Sequence, residues 1–270
     1  MKDIKFEEVQ SLLDSGKKLE DVFDRVTKEY YGFRVVCLNG KWNYIDSDSK
    51  LFSPNQWFDY CTSFQEDFGR VKLSDKGWNY IKIDGTYVSD IWFDWCGKFC
   101  NGFGVVKLDE AKYNYIDLNG EFLSTAPIFY GRDFHEGVAC IYSNNGYNFI
   151  NTKGEKIFKH YRKYDYFGDF YNGYAEINVR NKLNFISKDG KLLLKKWIHF
   201  DDCFGFENDD DKNFCIVGVD NKWNILDRNG EWISKIWVDD VANREKDNFI
   251  VEINGYEYKL DFKGKLDKVE

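Results

Sequence analysis

Histidine is scarce in this chain: three among 270 residues. His135, His160 and His199 form no ligand pair with a nearby cysteine, and no C-x-x-C occurs, so the donor spacing of a zinc site is missing. Positive charge is also in short supply. Lys and Arg total 38 against 46 Asp and Glu, which leaves a net charge of −8 and a pI near 5.1. A nucleic-acid backbone asks for a basic stripe, so nucleic acid is not expected as a partner. No run is long and apolar enough to span a bilayer, and the start MKDIKFEEVQ lacks the apolar core of a signal peptide. The seven cysteines are odd in number. Cys37, Cys140 and Cys215 fall in apolar runs, Cys61, Cys96 and Cys203 share one repeat position, and Cys100 makes a C-x3-C with Cys96. Reduced thiols in a cytoplasmic protein without membrane contact are the expectation. Phosphate loops, G-x-G-x-x-G, G-x-S-x-G and a readable Cys-His pairing are all lacking. Neither an enzyme nor a cofactor is expected.

Proline and methionine are nearly missing too, at two and one. Aromatic residues are abundant instead: 24 Phe, 18 Tyr and 9 Trp. Each ring can bury roughly 150–250 Å², which lets short segments build a core. These rings recur in one phrase. "GKWNYIDSDSK" at 40–50 returns as "KGWNYIKIDGT" at 76–86, "AKYNYIDLNGE" at 111–121, "NGYNFINTKGE" at 145–155, "NKLNFISKDGK" at 181–191 and "NKWNILDRNGE" at 221–231, with a worn copy, "NGYEYKLDFKGK", at 254–265. Phe-Asp dipeptides set the register. Units start at 23, 58, 93, 128, 164, 200 and 238, with the Asp lost at 128 and the dipeptide weakened to Val238-Asp239. Self-similarity at a period near 35 residues marks a repeat architecture.

The unit 93–127 reads as a loop or helical turn over Phe93–Asn101, an apolar strand from Gly102, a turn at Asp109–Lys112, a second strand from Tyr113, a turn at Gly120 that needs positive φ, and a third short strand over Glu121–Ser124. Ser49 replaces that glycine in the first unit. Along Trp42-Asn43-Tyr44-Ile45 both faces carry apolar bulk, so the strand expects cover on both sides. The expected fold is all-β: seven antiparallel hairpin or meander units in a solenoid-like or curved array over 23–270, closed at 1–22 by a helical cap. A seven-bladed propeller is the alternative, although its blades ordinarily use four strands and more residues. In the cap, Asp3 would start a helix, Phe6, Val9, Leu12 and Leu13 would share a face, and Gly16 would end it. The lysine-rich end from Lys259 reads as a frayed cap.

With these phrases aligned, the chain resembles the WG-repeat family, also called KWG repeats, of bacteria and their phages. Phe134-His135-Glu136-Gly137-Val138-Ala139, Gly40-Lys41-Trp42-Asn43-Tyr44-Ile45-Asp46 and Asp117-Leu118-Asn119-Gly120-Glu121 carry the likeness, which extends over about 23–265. The Gly of the W-G pair is replaced throughout by Asn43, Asn79, Asn114, Asn148, Asn184 and Asn224, then by Glu257. The resemblance implies an all-β array that binds or scaffolds, without catalytic residues.

The repeated Asn would either ladder between units or sit in a left-handed or bulged position, and a row of amides lining a groove is the functional alternative. The Asp of Phe-Asp, as at Asp59, Asp94, Asp165 and Asp201, would cap a following helical turn. Asp209-Asp210-Asp211 reads as a solvated insertion. Trp57, Trp92, Trp95 and Trp197 sit near the Phe-Asp position, mostly as core. The remaining candidate is a basic cluster in an acidic chain: Lys159, His160, Arg162 and Lys163, with Lys195 and Lys196 one repeat later. It suits another protein with an acidic surface, or an anionic small molecule. A protein-binding or scaffold module is the expected function, and the binding or sequestering of a nucleotide-like or glycan ligand is the alternative.

Overall fold

A computed structural model describes residues 2–269 apart from 66, 111, 160–163, 201, 205–213 and 246; of Asp202 and Phe204 the backbone alone is described. The chain forms two compact units: residues 1–144 with 152–154, and residues 145–151 with 155–270.

The first unit contains three complete small antiparallel sheets. Their strands are Arg25–Val26, Phe33–Leu38 and Lys41–Asp46; Tyr60–Cys61, Phe68–Leu73 and Gly77–Lys82; and Trp95–Cys100, Phe103–Asp109 and Lys112–Ile116. Tyr130–Gly131 then pairs with Val138–Ser143. Gly146–Asn151 opens the second unit. There follow sheets of Tyr166–Tyr171, Tyr174–Val179, Lys182–Ser187 and Ile198–His199; of Asp202–Phe204, Phe214–Val219 and Lys222–Asp227; and of Asp240–Arg244, Asn248–Ile253, Tyr256–Asp261 and Leu266–Lys268. The all-β repeat reading holds, one sheet per repeat. Within it, Trp95–Cys100 is a strand where the sequence suggested a loop or helical turn. Leu266–Lys268 is a paired strand where a frayed end was expected.

Turn chemistry explains the strand lengths. Asn39-Gly40 and Asn254-Gly255 both lie at positive φ, near 50° and then near 78°, which is the two-residue turn whose twist suits a hairpin. The turn glycines after the W-N-Y-I phrase also take positive φ, and Ser49 adopts it at 63° in place of glycine.

Alternate residues of the third strand enter different cores. Ile45, with Val36 and Leu38, packs under the helical segment, beside Val9, Leu13 and Val22. Tyr44, with Val35, packs on the second sheet against Phe58, Phe64 and Val71. Tyr80 does the same against Cys96, Phe99 and Val106 of the third sheet. Cover on both faces is therefore what the W-N-Y-I strand receives. The Tyr hydroxyls are deeply buried and reach forward one repeat: Tyr44 Oη donates to Thr62 O at 2.8 Å and Tyr80 Oη to Gly97 O at 2.9 Å. Burial pushes both phenols well above their ordinary pKa. Room for each hydroxyl comes from a glycine in the next sheet. A Cβ on Gly69 would overlap the Tyr44 hydroxyl, and one on Gly104 would lie 2.6 Å from that of Tyr80. Farther along, the pair changes size in a compensated way. Phe185 shares its cluster with Cys215, and Ile225 shares one with Phe249.

The amino-terminal segment is a 3-10 turn, Phe6–Glu8, and two short helices, Val9–Asp14 and Leu19–Val22. Gly16 closes the first at φ 85°, but Asp3 does not cap it; the 3-10 turn starts after Lys5 with no side-chain cap. Gln10 instead ties the helix to the repeats: its Oε1 accepts from Leu51 N at 2.8 Å and its Nε2 donates to Ser49 O at 3.3 Å.

Candidate binding surface

Of the six residues in the basic cluster, His160, Arg162 and Lys163 lie outside the described residues, as does the acidic run Asp209–Asp211. Lys159, Lys195 and Lys196 are described and exposed.

The recurring Asn is consumed by structure. Asn43, Asn79, Asn148 and Asn184 are wholly buried, and Asn114 and Asn224 nearly so. Each Oδ1 accepts the N–H of the next residue at 2.8 Å, and each Nδ2 donates to the carbonyl ten residues on, from 2.7 Å at Ser53 and Ser89 to 3.0 Å at Leu194 and Ser234. The reason lies at the sheet edge. Beyond the third strand the chain returns as a broken fourth one: Phe52 N donates to Tyr44 O, and Phe58 exchanges two bonds with Trp42, but the chain leaves the edge between these points. The Asn amide fills that gap and pairs with the backbone in place of the missing strand. The last repeat makes the comparison directly. There Leu266–Lys268 runs along the edge unbroken, and the equivalent residue is exposed Glu257. The expected ladder between units is thus replaced by a staple within each unit. The Asn sit in regular strands, with no positive φ. Their amides are occupied and do not line a groove.

The Asp of Phe-Asp caps something other than a helical turn. Asp24, Asp59, Asp165 and Asp239 each accept, through Oδ2, the backbone N–H fifteen residues later, at 2.6–2.7 Å from Asn39, Ser74, Arg180 and Asn254. In each repeat this is the hairpin turn between the second and third strands, where the first turn N–H has no ladder partner. Lys41 also pairs with Asp59 at 2.5 Å, and Lys222 with Asp239. Lys41, then the Ser74 side chain and N–H, hold the Asp59 carboxyl below the usual range, and Lys222, then the Asn254 N–H, do the same for Asp239. Each Asp serves its own turn, so they do not converge as an acid/base pair.

A further recurrence is a set of half-exposed rings. Tyr60, Trp95, Tyr130 and Tyr166 occupy the same first-strand position in successive repeats, and each keeps 38–45% of its surface exposed. The strand register gives them neighbours. Tyr60 lies opposite Lys72, which lies opposite Trp78; Trp95 lies opposite Lys107, then Tyr113; Tyr130 lies opposite Tyr142. Cross-strand partners share a face, so the first unit presents ring–lysine–ring rows. Tyr60 stands 5.5 Å from Trp78 and 6.0 Å from Trp42, Tyr113 stands 5.8 Å from Tyr130, and the Lys72 ammonium lies 5.7 Å over Trp78. In the second unit the same register reads Tyr166, Asn178, Leu183 and finally Asp240, Glu252, Glu257. Among the tryptophans singled out from sequence, Trp95 belongs to this face. Trp57 is half-buried against Phe6 at 4.5 Å, Trp92 against Tyr87 at 5.2 Å, and Trp197 against Tyr164 at 5.8 Å. The sequence signal for the row was the aromatic following Phe-Asp in "FDY", "FDW" and "YDY"; what it lacked was the lysine opposite, which only the strand pairing supplies.

Among the described residues no group of three His, Cys, Asp or Glu is placed to hold a metal, and no helix is long and apolar enough to cross a membrane.

Small antiparallel sheets at a period near 35 residues, all but the last carrying the Asn-bearing strand, define a β-repeat protein. The model of the WG-containing repeat matches residues 149–182, which supports the reading of the chain as an array of WG-like repeats. Comparison with curated proteins gives no match. Among solved structures, the computationally designed Ika8 protein is similar at 12% identity, over 89% of this chain and 84% of its own, with a TM-score of 0.45. BamB from Moraxella catarrhalis is similar at 12% identity, over 86% and 77%, with a TM-score of 0.42. Apo AztD from Citrobacter koseri is similar at 13% identity, over 91% and 86%, with a TM-score of 0.42. With scores below 0.5, these likenesses bear on neither architecture nor function.

Proposed function

We propose that this chain is a non-enzymatic binding or scaffold module whose partner is another protein, engaged on the ring–lysine rows of the first unit. The observation that carries the reading is the recurrence of half-exposed rings at one register, held on strands, with Lys72 and Lys107 between them. Tyr and Trp bring large contact area at small entropic cost and dominate interface energetics. The lysines favour a partner segment that carries carboxylates. Photo-crosslinking residues introduced at Tyr60 and Trp95 of the full chain should capture one protein, and the same residue at exposed Tyr256 should not. With that protein in hand, Lys72→Glu with Lys107→Glu should weaken binding at least tenfold at low salt. Equal capture from all three positions would refute the reading.

A small-molecule ligand, nucleotide-like or glycan, is the second reading, favoured by the same ring faces, on which flat ligands stack. A thermal-shift panel of nucleotides and sugars separates the two. The Lys159, His160, Arg162, Lys163, Lys195 and Lys196 cluster is retained as an auxiliary anion-attracting patch. Lys159→Glu with Lys195→Glu should lower the salt sensitivity of partner binding while the melting curve stays unchanged.

A further inference from the structure

The sixth sheet brings together two cysteines that sequence spacing did not connect. Cys203 pairs with Val217 across the first two strands, and Phe204 with Ile216, so Cys215 lies on the same face as Cys203, one alternate position along. Their sulfurs are 3.3 Å apart. Cys215 is fully buried beside Phe185, Val217 and Leu226, whereas Cys203 is partly exposed at the edge of that cluster. Two thiols whose sulfurs already touch across a strand pair are within reach of each other for thiol–disulfide exchange.

We infer that Cys203 and Cys215 form a reversible disulfide, with Cys203 as the thiol that meets the oxidant and Cys215 as the resolving thiol. The oxidant is a low-molecular-weight disulfide. The Cys203 thiolate attacks one sulfur of it, the small S–S bond breaks, and one half departs as a thiolate. Cys215, its proton released to water, then attacks the Cys203 sulfur of the mixed disulfide and expels the second half. In sum, two protein thiols are oxidised to one disulfide, and one small disulfide is reduced to two thiols, which take up the two protons released. The new bond ties strand Asp202–Phe204 to strand Phe214–Val219 and closes the stretch 204–214, which in sequence carries Asp209-Asp210-Asp211. Crosslinking a loop of this length restricts the unfolded chain, so the oxidised form should be the more stable.

The test uses the folded full chain and oxidised glutathione. Intact mass should show the loss of two hydrogens with no retained glutathione, peptide mapping should find Cys203 joined to Cys215, and Tm should rise by about 5 °C. Cys215→Ser should trap a glutathione adduct on Cys203. Cys203→Ser should leave Cys215 reduced. Cys215→Ala replaces the serine variant if the buried hydroxyl prevents folding, as judged by circular dichroism. The inference fails if wild type keeps both thiols reduced, if it accumulates a glutathione adduct on Cys203 that never closes, or if either cysteine maps to a different partner.

Discussion

At the scale of single residues, the buried Asn and the Phe-Asp carboxylate do the same kind of work. Each satisfies backbone groups that the sheet leaves over. Asn79→Ala strands the buried Tyr80 N–H and removes the amide donor to the Ser89 carbonyl, which should cost about 1–3 kcal/mol by denaturant titration. Glu257→Ala, at the equivalent but exposed position, should stay within about 0.5 kcal/mol. For Asp59 the sign follows from its lowered pKa. Its contribution is complete above the ordinary carboxylate range and is lost as pH falls through the lowered folded value, below about pH 4. Asp59→Asn keeps an acceptor for Ser74 N–H but gives up Lys41. Melting curves recorded down the acid limb should therefore fall less steeply in Asp59→Asn than in wild type. Part exposure of both partners keeps the neutral-pH difference small.

At the scale of elements, the interlocking of neighbouring sheets through Tyr44 and Gly69 can be tested as a cycle. Gly69→Ala forces a methyl into the Tyr44 hydroxyl and should cost about 1–3 kcal/mol. Tyr44→Phe gives up the bond to Thr62 O and should cost about 1 kcal/mol. The double variant should be more stable than the sum of the two predicts, by about 1 kcal/mol, because removing the hydroxyl relieves the closest contact of the new methyl. Additive losses would show that the glycine is needed for some other reason. The hairpins and the helix ending at Gly16 were legible in the sequence, because turn chemistry and apolar spacing are local signals. The broken fourth strand was not. Its first fragment was read as a short third strand at Glu121–Ser124, but its second, at Phe58, and the break between the two were not, because their pairing with Trp42 and Tyr44 depends on where the chain returns. For the same reason Asn43 and Asp59 were recognised as recurrent while their partners, ten and fifteen residues away, were misassigned. The candidate surface was half legible: the rings after Phe-Asp could be seen, and the lysines facing them could not. The close approach of Cys203 and Cys215 required the strand register of a repeat whose spacing an insertion had altered.

At the scale of the molecule, the core clusters within each unit join a sheet to its sequence neighbour, so damage should remain where it is inflicted. Gly69→Ala should speed amide exchange from Phe33 to Asp109 and leave Phe214–Asp261 at wild-type rates. Uniform acceleration along the chain would mean that the repeats unfold as a single body.

The Asn staple has a further consequence. It fixes the returning chain at a constant offset of ten residues, and in the first unit the residues between that point and the next Phe-Asp position, such as 54–57 and 90–92, are excused from sheet pairing. Such a segment can change its length and composition without disturbing the strand it left. The W-N-Y-I phrase then behaves as a standard socket and the segment after it as an interchangeable insert, so a lineage of these chains can acquire new surfaces by rewriting a few residues per repeat while its cores stay the same.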